Sequence, residues 1–273
     1  MKKERVFFIA VLILTIGICL AWNAFSETKN KFNVELEIQR NRAYGEIQNV
    51  IAAHTYCYEA QQQVYEFDNF WSKRDDIAYS DMIGRKAAID YYAVSNAAAR
   101  KAKLKFMSEL YPNEVKNVPE NEGIGDMVIH LLTTPYIVVA GDGKTAQGLW
   151  YVPSVNCEID RNGQPSVNTI WEKCSVDFIY EDGAWKIWHF RQWVQFANGL
   201  DKSLVDGTWK HTRFNQAAQP TAQSTAQPAQ AQQQQRDIRD QNYSTKRVAA
   251  FRPELPKAYD TWNDSMSTVV QKH

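Results

Sequence analysis

The chain has 273 residues, 44% of them hydrophobic, with 31 Lys plus Arg against 31 Asp plus Glu and four cysteines. That length can bury one good core, and the zero net charge offers no basic field to a nucleic-acid backbone. Cys19 lies in an apolar run, which leaves the odd set Cys57, Cys157 and Cys174; no CxxC or His-rich spacing occurs, so neither a disulfide framework nor a metal site is expected.

Lys2, Lys3, Glu4 and Arg5 precede an uncharged apolar run at 6–22, followed by Asn23-Ala24-Phe25-Ser26. Residues 1–27 therefore read as a cleaved signal peptide or an uncleaved membrane anchor, and either outcome places the rest of the chain outside the cytoplasm. Residues 31–67 carry no proline and have apolar positions at helical spacing, including Ile47, Val50 and Ile51, which predicts one long helix or two in tandem. Phe67, Phe70 and Trp71 fall in a short turn, and 77–80 is briefly extended. Gly84 opens a further helix over about 85–110, ended by Pro112.

From Met127 the period becomes strand-like. A three-residue loop, Gly141-Asp142-Gly143, suits a bulged turn and sets His130 across from Ser154, Leu132 across from Val152 and Thr134 across from Trp150. Their shared face, with Val138 and Ala146, is apolar and points inward. A second hairpin turns at Asp182-Gly183 and aligns Val176, Phe178 and Tyr180 with His189, Ile187 and Trp185. Aromatic residues occupy both faces of this sheet, so both need cover, from helices on one side and from a partner subunit on the other. A Gln/Ala/Pro-rich linker fills 213–236, and 237–273 forms a C-terminal extension that docks on the main domain or a neighbour. Helices followed by antiparallel strands predict an α+β fold in which helices close one side of a bent sheet.

The order of three segments carries a resemblance: Ile-Gln-Asn-Val-Ile-Ala-Ala-His-Thr-Tyr-Cys-Tyr-Glu at 47–59, Thr-Ala-Gln-Gly-Leu-Trp-Tyr at 145–151, and Tyr-Glu-Asp-Gly-Ala-Trp-Lys-Ile at 180–187. Together they resemble the SnoaL-like branch of the NTF2-like superfamily over 31–200, most of all the group with bile-acid 7α-dehydratase and scytalone dehydratase. The resemblance implies an α+β cone and a cofactor-independent dehydratase or isomerase acting on a hydrophobic cyclic small molecule. By motif order His130 matches the family histidine, the helix tyrosine position falls on His54 with Tyr56 two residues on, and a helix aspartate falls on Glu59. The strand aspartate falls on Ser154, which cannot supply an anion to an imidazolium.

The candidate catalytic residues are thus His130, Glu59, His54 and Tyr56, the first as general acid or base. Trp150, Ser154, Tyr151, His189 and Arg191 are expected to line a pocket, Arg191 either binding a ligand carboxylate or pairing with Asp177 or Glu59. The expected partners are a hydrophobic small molecule, a second copy through the sheet face, and the membrane if residues 6–22 stay attached. The competing reading is a non-catalytic ligand-binding or dimerisation module of the same fold.

Overall fold

The computed structural model describes residues 34–159, 163, 165–199, 251 and 253–270. The signal or anchor segment and the linker lie outside the described residues. Two units divide the chain, Met1–Gln39 and Arg40–His273. In the first the described residues are the opening turns of α1, which runs Val34–Glu59.

Within the second unit Ala43, Ile47, Ile51 and His54 recur at helical spacing on α1 and are all buried. The helix ends in a Schellman turn: Gln62 N–H bonds Cys57 O and Gln61 N–H bonds Tyr58 O, with Gln61 left-handed at φ 59. This stop lets the chain fold back, so that α2, Gln63–Asn69, returns Glu66 to the side of His54. Glycine is the usual residue at such a position, and a left-handed glutamine costs roughly 1–2 kcal/mol. Gln61→Gly is therefore expected to stabilise the fold by about 1 kcal/mol in denaturant melts, a gain that an unchanged midpoint would disprove.

Gly84 begins α3, Arg85–Ile89, which passes through a π turn at Asp90–Val94 into α4, Ser95–Leu110. The π turn rotates Tyr91 and Tyr92 relative to a regular helix and sets Tyr92 in the core. Among the described residues seven strands make one sheet: β1 Ala78–Tyr79, β2 Met82–Ile83, β3 Met127–His130, β4 Thr133–Val139, β5 Thr145–Ile159, β6 Pro165–Glu181 and β7 Ala184–Gly199. Their order is β2-β1-β7-β6-β5-β3, with β4 also on β5 and β1 parallel to β7. The core fills the inner face, where Ile47 and Ile51 from α1 and Trp71, just beyond α2, meet Val152, Phe178 and Phe190. Cys57, Cys157 and Cys174 are free. Among the described residues no helix is long and apolar enough to cross a membrane.

Two registers differ from expectation. The first turn holds four residues, Gly141 to Lys144, because Ala140 N–H bonds Thr145 O and Val139 pairs Ala146. Val139, and not Val138, therefore shares the face of Ala146. A bulge absorbs the extra residue: Thr133 pairs Tyr151 and Tyr136 pairs Leu149, so Thr134 and Pro135 both stand against Trp150. Thr134 is left-handed at φ 53 and Pro135 has no N–H for the ladder. The two slips cancel, and His130 does pair with Ser154. In the second hairpin Phe178 pairs Ile187 and Tyr180 pairs Trp185, but a bulge next to Asp177 pairs Val176 with Phe190 and Asp177 with His189. Beyond that bulge the faces exchange, so His189 and Arg191 lie on the outer face of the sheet.

Residues 259–269 cover part of that outer face. Gly141 and Asp142 donate their N–H groups to Tyr259 O and Asp260 O, and Trp262 packs 4.9 Å from Trp188. Beneath them Asp177 accepts from Gln147 Nε2 at 2.9 Å, from His189 Nδ1 at 2.9 Å and from Ser267 Oγ. The segment thus covers in cis part of the face assigned from sequence to a second copy, and it does not fill the interior.

Candidate functional site

Three aromatic or imidazole rings meet where α1 crosses the inner face of the sheet. His130 Nδ1 lies 3.1 Å from Ser154 Oγ, and its ring is 5.1 Å from Tyr58 and 6.0 Å, edge-on, from His54. Its Nε2 is 3.5 Å from Gln192 Nε2, and Gln192 Oε1 is 3.5 Å from the Tyr79 hydroxyl. These weak contacts fit one direction of donation: Tyr79 to Gln192, Gln192 to His130 Nε2, and His130 Nδ1–H to Ser154. Burial, with the neighbouring His54 adding to it, pulls the His130 imidazole down to about 3. It is therefore neutral near pH 7 and a weak base there.

Glu59 is beside His130 but turned to its backbone, accepting the His130 N–H at 3.0 Å. It ties the sheet edge to α1 and leaves the imidazole without an anion. The carboxylate absent from His130 stands instead at His54. Glu66, fully buried, accepts from His54 Nδ1 at 2.7 Å, from Trp71 Nε1 at 2.7 Å and from the Tyr92 hydroxyl at 3.0 Å. Three donors satisfy its charge, which is what a carboxylate held in a core requires. In the neutral ring with Nδ1 as donor, His54 Nε2 carries the lone pair; that buried atom has no hydrogen-bond partner among the described residues.

Glu172 occupies the next part of the inner face, in phase with buried Cys174 and Val176 and paired with Val152 and Val194. It sits deep among protein atoms, and burial alone pushes its carboxyl up to about 7. Its side chain still keeps partial solvent contact. Its charge acts on the Tyr58 and Tyr79 hydroxyls, both held well above the usual tyrosine range, mainly by burial.

Of the residues chosen from sequence, His130, His54, Ser154 and Trp150 reach this interior, Trp150 as a core ring bonded to Gln48 Oε1 at 3.1 Å. The others do not. Tyr56 is 72% exposed and Tyr151 is 44% exposed on the outer face, because each is out of phase with the buried positions of its element. His189 bonds Asp177 and the Asp76 carbonyl, and Arg191 pairs with Asp81 at 3.2 Å; the bulge beside Asp177 carries both outward. Glu66, Glu172, Tyr58 and Gln192 went unread, although a lone glutamate in the inward stripe Glu172, Cys174, Val176, Phe178 was a usable signal. A surface depression of about 400 Å³ near Gln62, Arg100, Glu120 and Glu122 touches Glu59 but none of these interior residues. Among the described residues no group of three or more His, Cys, Asp or Glu is set to hold a metal ion.

The sequence matches the SnoaL-like domain over residues 39–191, more than half of the 273. The chain belongs to the SnoaL-like family. Similar solved structures include a hexachlorocyclohexane dehydrochlorinase, LinA type 2, at 14% identity, TM-score 0.41, covering 60% of this chain and 93% of that one. A putative scytalone dehydratase from Novosphingobium aromaticivorans is similar at 12% identity, TM-score 0.42, covering 59% of this chain and 90% of that one. An NTF2-like protein with a cystatin-like fold, also from Novosphingobium aromaticivorans, is similar at 14% identity and TM-score 0.38, covering 64% and 93%. No curated protein matches this SnoaL-like chain. Its placement rests on the family match.

Proposed function

We propose that this SnoaL-like protein is a cofactor-independent lyase or isomerase acting on an uncharged hydrophobic ring compound, with His54 as its base. One observation carries this reading: His54 is fixed by Glu66 through Nδ1 and presents an unpaired Nε2 inside the cone. A histidine so backed takes a proton next to a carbonyl at moderate cost, because the Glu66 charge offsets the imidazolium that forms. His130, neutral and anchored to Ser154, orients the substrate and does not carry the proton. The substrate reaches Nε2 by displacing the half-buried Tyr58 ring. The interior residues described above include no arginine or lysine, which favours an uncharged ligand over a carboxylate. Lys2, Lys3 and Arg5 ahead of the apolar run at 6–22 support action outside the cytoplasm.

The test is the full chain in D₂O with 3-hydroxycyclohexanone, following deuterium uptake at C2 and loss of water by mass spectrometry. Both processes are expected above the buffer rate; the absence of both overturns the reading. A binding module is the second reading, favoured by Glu59 being spent on a backbone N–H. It predicts saturable ring-ligand binding with neither exchange nor elimination.

A further inference from the structure

We propose that Glu172 is a second catalytic residue of this site, the acid that protonates the leaving hydroxyl. The inference rests on the acid–base reading above and adds the proton donor that a base alone does not supply.

The placement is specific. Glu172 belongs to an inward stripe whose next members, Cys174, Val176 and Phe178, are all fully buried. A bulge sits beside it, since Trp171 pairs Phe196 while Glu172 pairs Val194. Such irregularities re-aim side chains near sites. Among the described residues Glu172 has no hydrogen bond and no ion pair, unlike Glu66, which meets three donors. A part-buried carboxyl on an otherwise apolar inward stripe, with no protein donor, is costly to keep ionised, and packing alone would favour an apolar residue there. Burial pushing it up to about 7 means that near neutral pH it still carries a proton to give.

The groups facing it are Tyr58 from α1, Tyr79 from β1 and Cys174 on its own strand, with Val152 and Val194 on either side. Burial holds the thiol and both phenols protonated through the working range. Glu172 is therefore the group among these that changes charge near neutrality. Tyr58 joins the two halves, its ring 6.2 Å from His54 and its hydroxyl within reach of the Glu172 charge. A ring lying where Tyr58 now sits would have His54 on one side and Glu172 on another.

The step balances. His54 Nε2 takes the proton from C2, the C2–H electrons become the C2=C3 bond, and the C3–O bond breaks. The departing oxygen takes the Glu172 proton and leaves as water. His54 then returns its proton to Glu172 through that water.

The test compares Glu172→Gln with wild type on 3-hydroxycyclohexanone at pH 6.5. C2 exchange needs only the base, whereas loss of water needs the acid as well. The variant is expected to lose elimination about 100-fold or more while C2 exchange stays within about threefold. Wild-type elimination is expected to fall as pH rises through about 7, and the variant to lack that limb. Elimination that falls no further than exchange overturns the role of Glu172 and leaves the His54 reading standing. Wild type that neither exchanges nor eliminates overturns both. The amide is close to isosteric, and a thermal midpoint at or above wild type at pH 7.5 shows that the variant folds.

Discussion

Glu66→Gln is expected to slow C2 exchange roughly a thousandfold without unfolding the protein. The amide oxygen can take the place of Oε1 and still accept from His54 Nδ1 and Trp71 Nε1, both 2.7 Å away. The amide nitrogen then faces the Tyr92 oxygen, 3.0 Å away, which accepts in place of donating. The ring orientation and tautomer survive, and only the charge is lost. Opposite charges about 4 Å apart at an effective dielectric near 20 attract by about 4 kcal/mol, close to three powers of ten in rate. His54→Ala should reach a similar floor, and the double variant should be no slower than His54→Ala alone, because the two side chains act as one unit. Exchange by Glu66→Gln within about tenfold of wild type would show that the carboxylate only builds the core. Glu66→Leu is a separate matter: it strands three buried donors and is expected to cost roughly 3–5 kcal/mol of stability.

The second large effect lies in stability against pH, where two interior groups oppose each other. His130 is held at about 3 in the fold against an ordinary 6.5, so the folded chain binds that proton less than the unfolded chain does. The penalty is absent above pH 6.5 and grows as pH falls through the interval to about 3. Glu172 is raised to about 7 from 4.5, so the folded chain binds its proton more tightly. That stabilisation is full below pH 4.5 and is lost as pH rises to about 7. Each group changes stability by about 1.4 kcal/mol per pH unit inside its own window. Between pH 4.5 and 6.5 their two contributions run in opposite directions and cancel in wild type. His130→Asn should uncover the Glu172 slope and gain about 3 kcal/mol relative to wild type as pH falls from 6.5 to 4.5. Glu172→Gln should uncover the His130 slope and gain about 3 kcal/mol relative to wild type between pH 4.5 and 7.5. Urea melts at four pH values check both, and variant curves parallel to wild type would refute the opposition.

The fold was largely legible because its signals are local. The change from helical to alternating period at Met127, the Asp182-Gly183 turn and the apolar spacing of Ile47 and Ile51 each act within one element. What escaped was irregularity within strands. Nothing in Asp177-Phe178 or Trp188-His189 announces a bulge, and that single extra residue turned His189 and Arg191 from the interior to the outer face. The Thr134-Pro135 bulge was more readable, since a proline inside a strand cannot join the ladder. At the site, His54 and His130 could be found from sequence, but the anion that backs His54 could not. Glu66 reaches His54 only because α1 stops at Gln61 and the chain doubles back, a contact set by tertiary geometry across 12 positions.

The pair of slips around the first hairpin has a consequence for how this sequence can vary in length. The extra residue in the turn at Gly141 to Lys144 and the extra residue at Thr134-Pro135 together keep His130 opposite Ser154. Deleting one of them alone would turn the imidazole out of the interior or force the ladder to slide. Deleting both would leave it in place. Insertions and deletions between His130 and Ser154 should therefore be inherited in compensating pairs, one at the turn and one at the bulge, while single changes of length are lost.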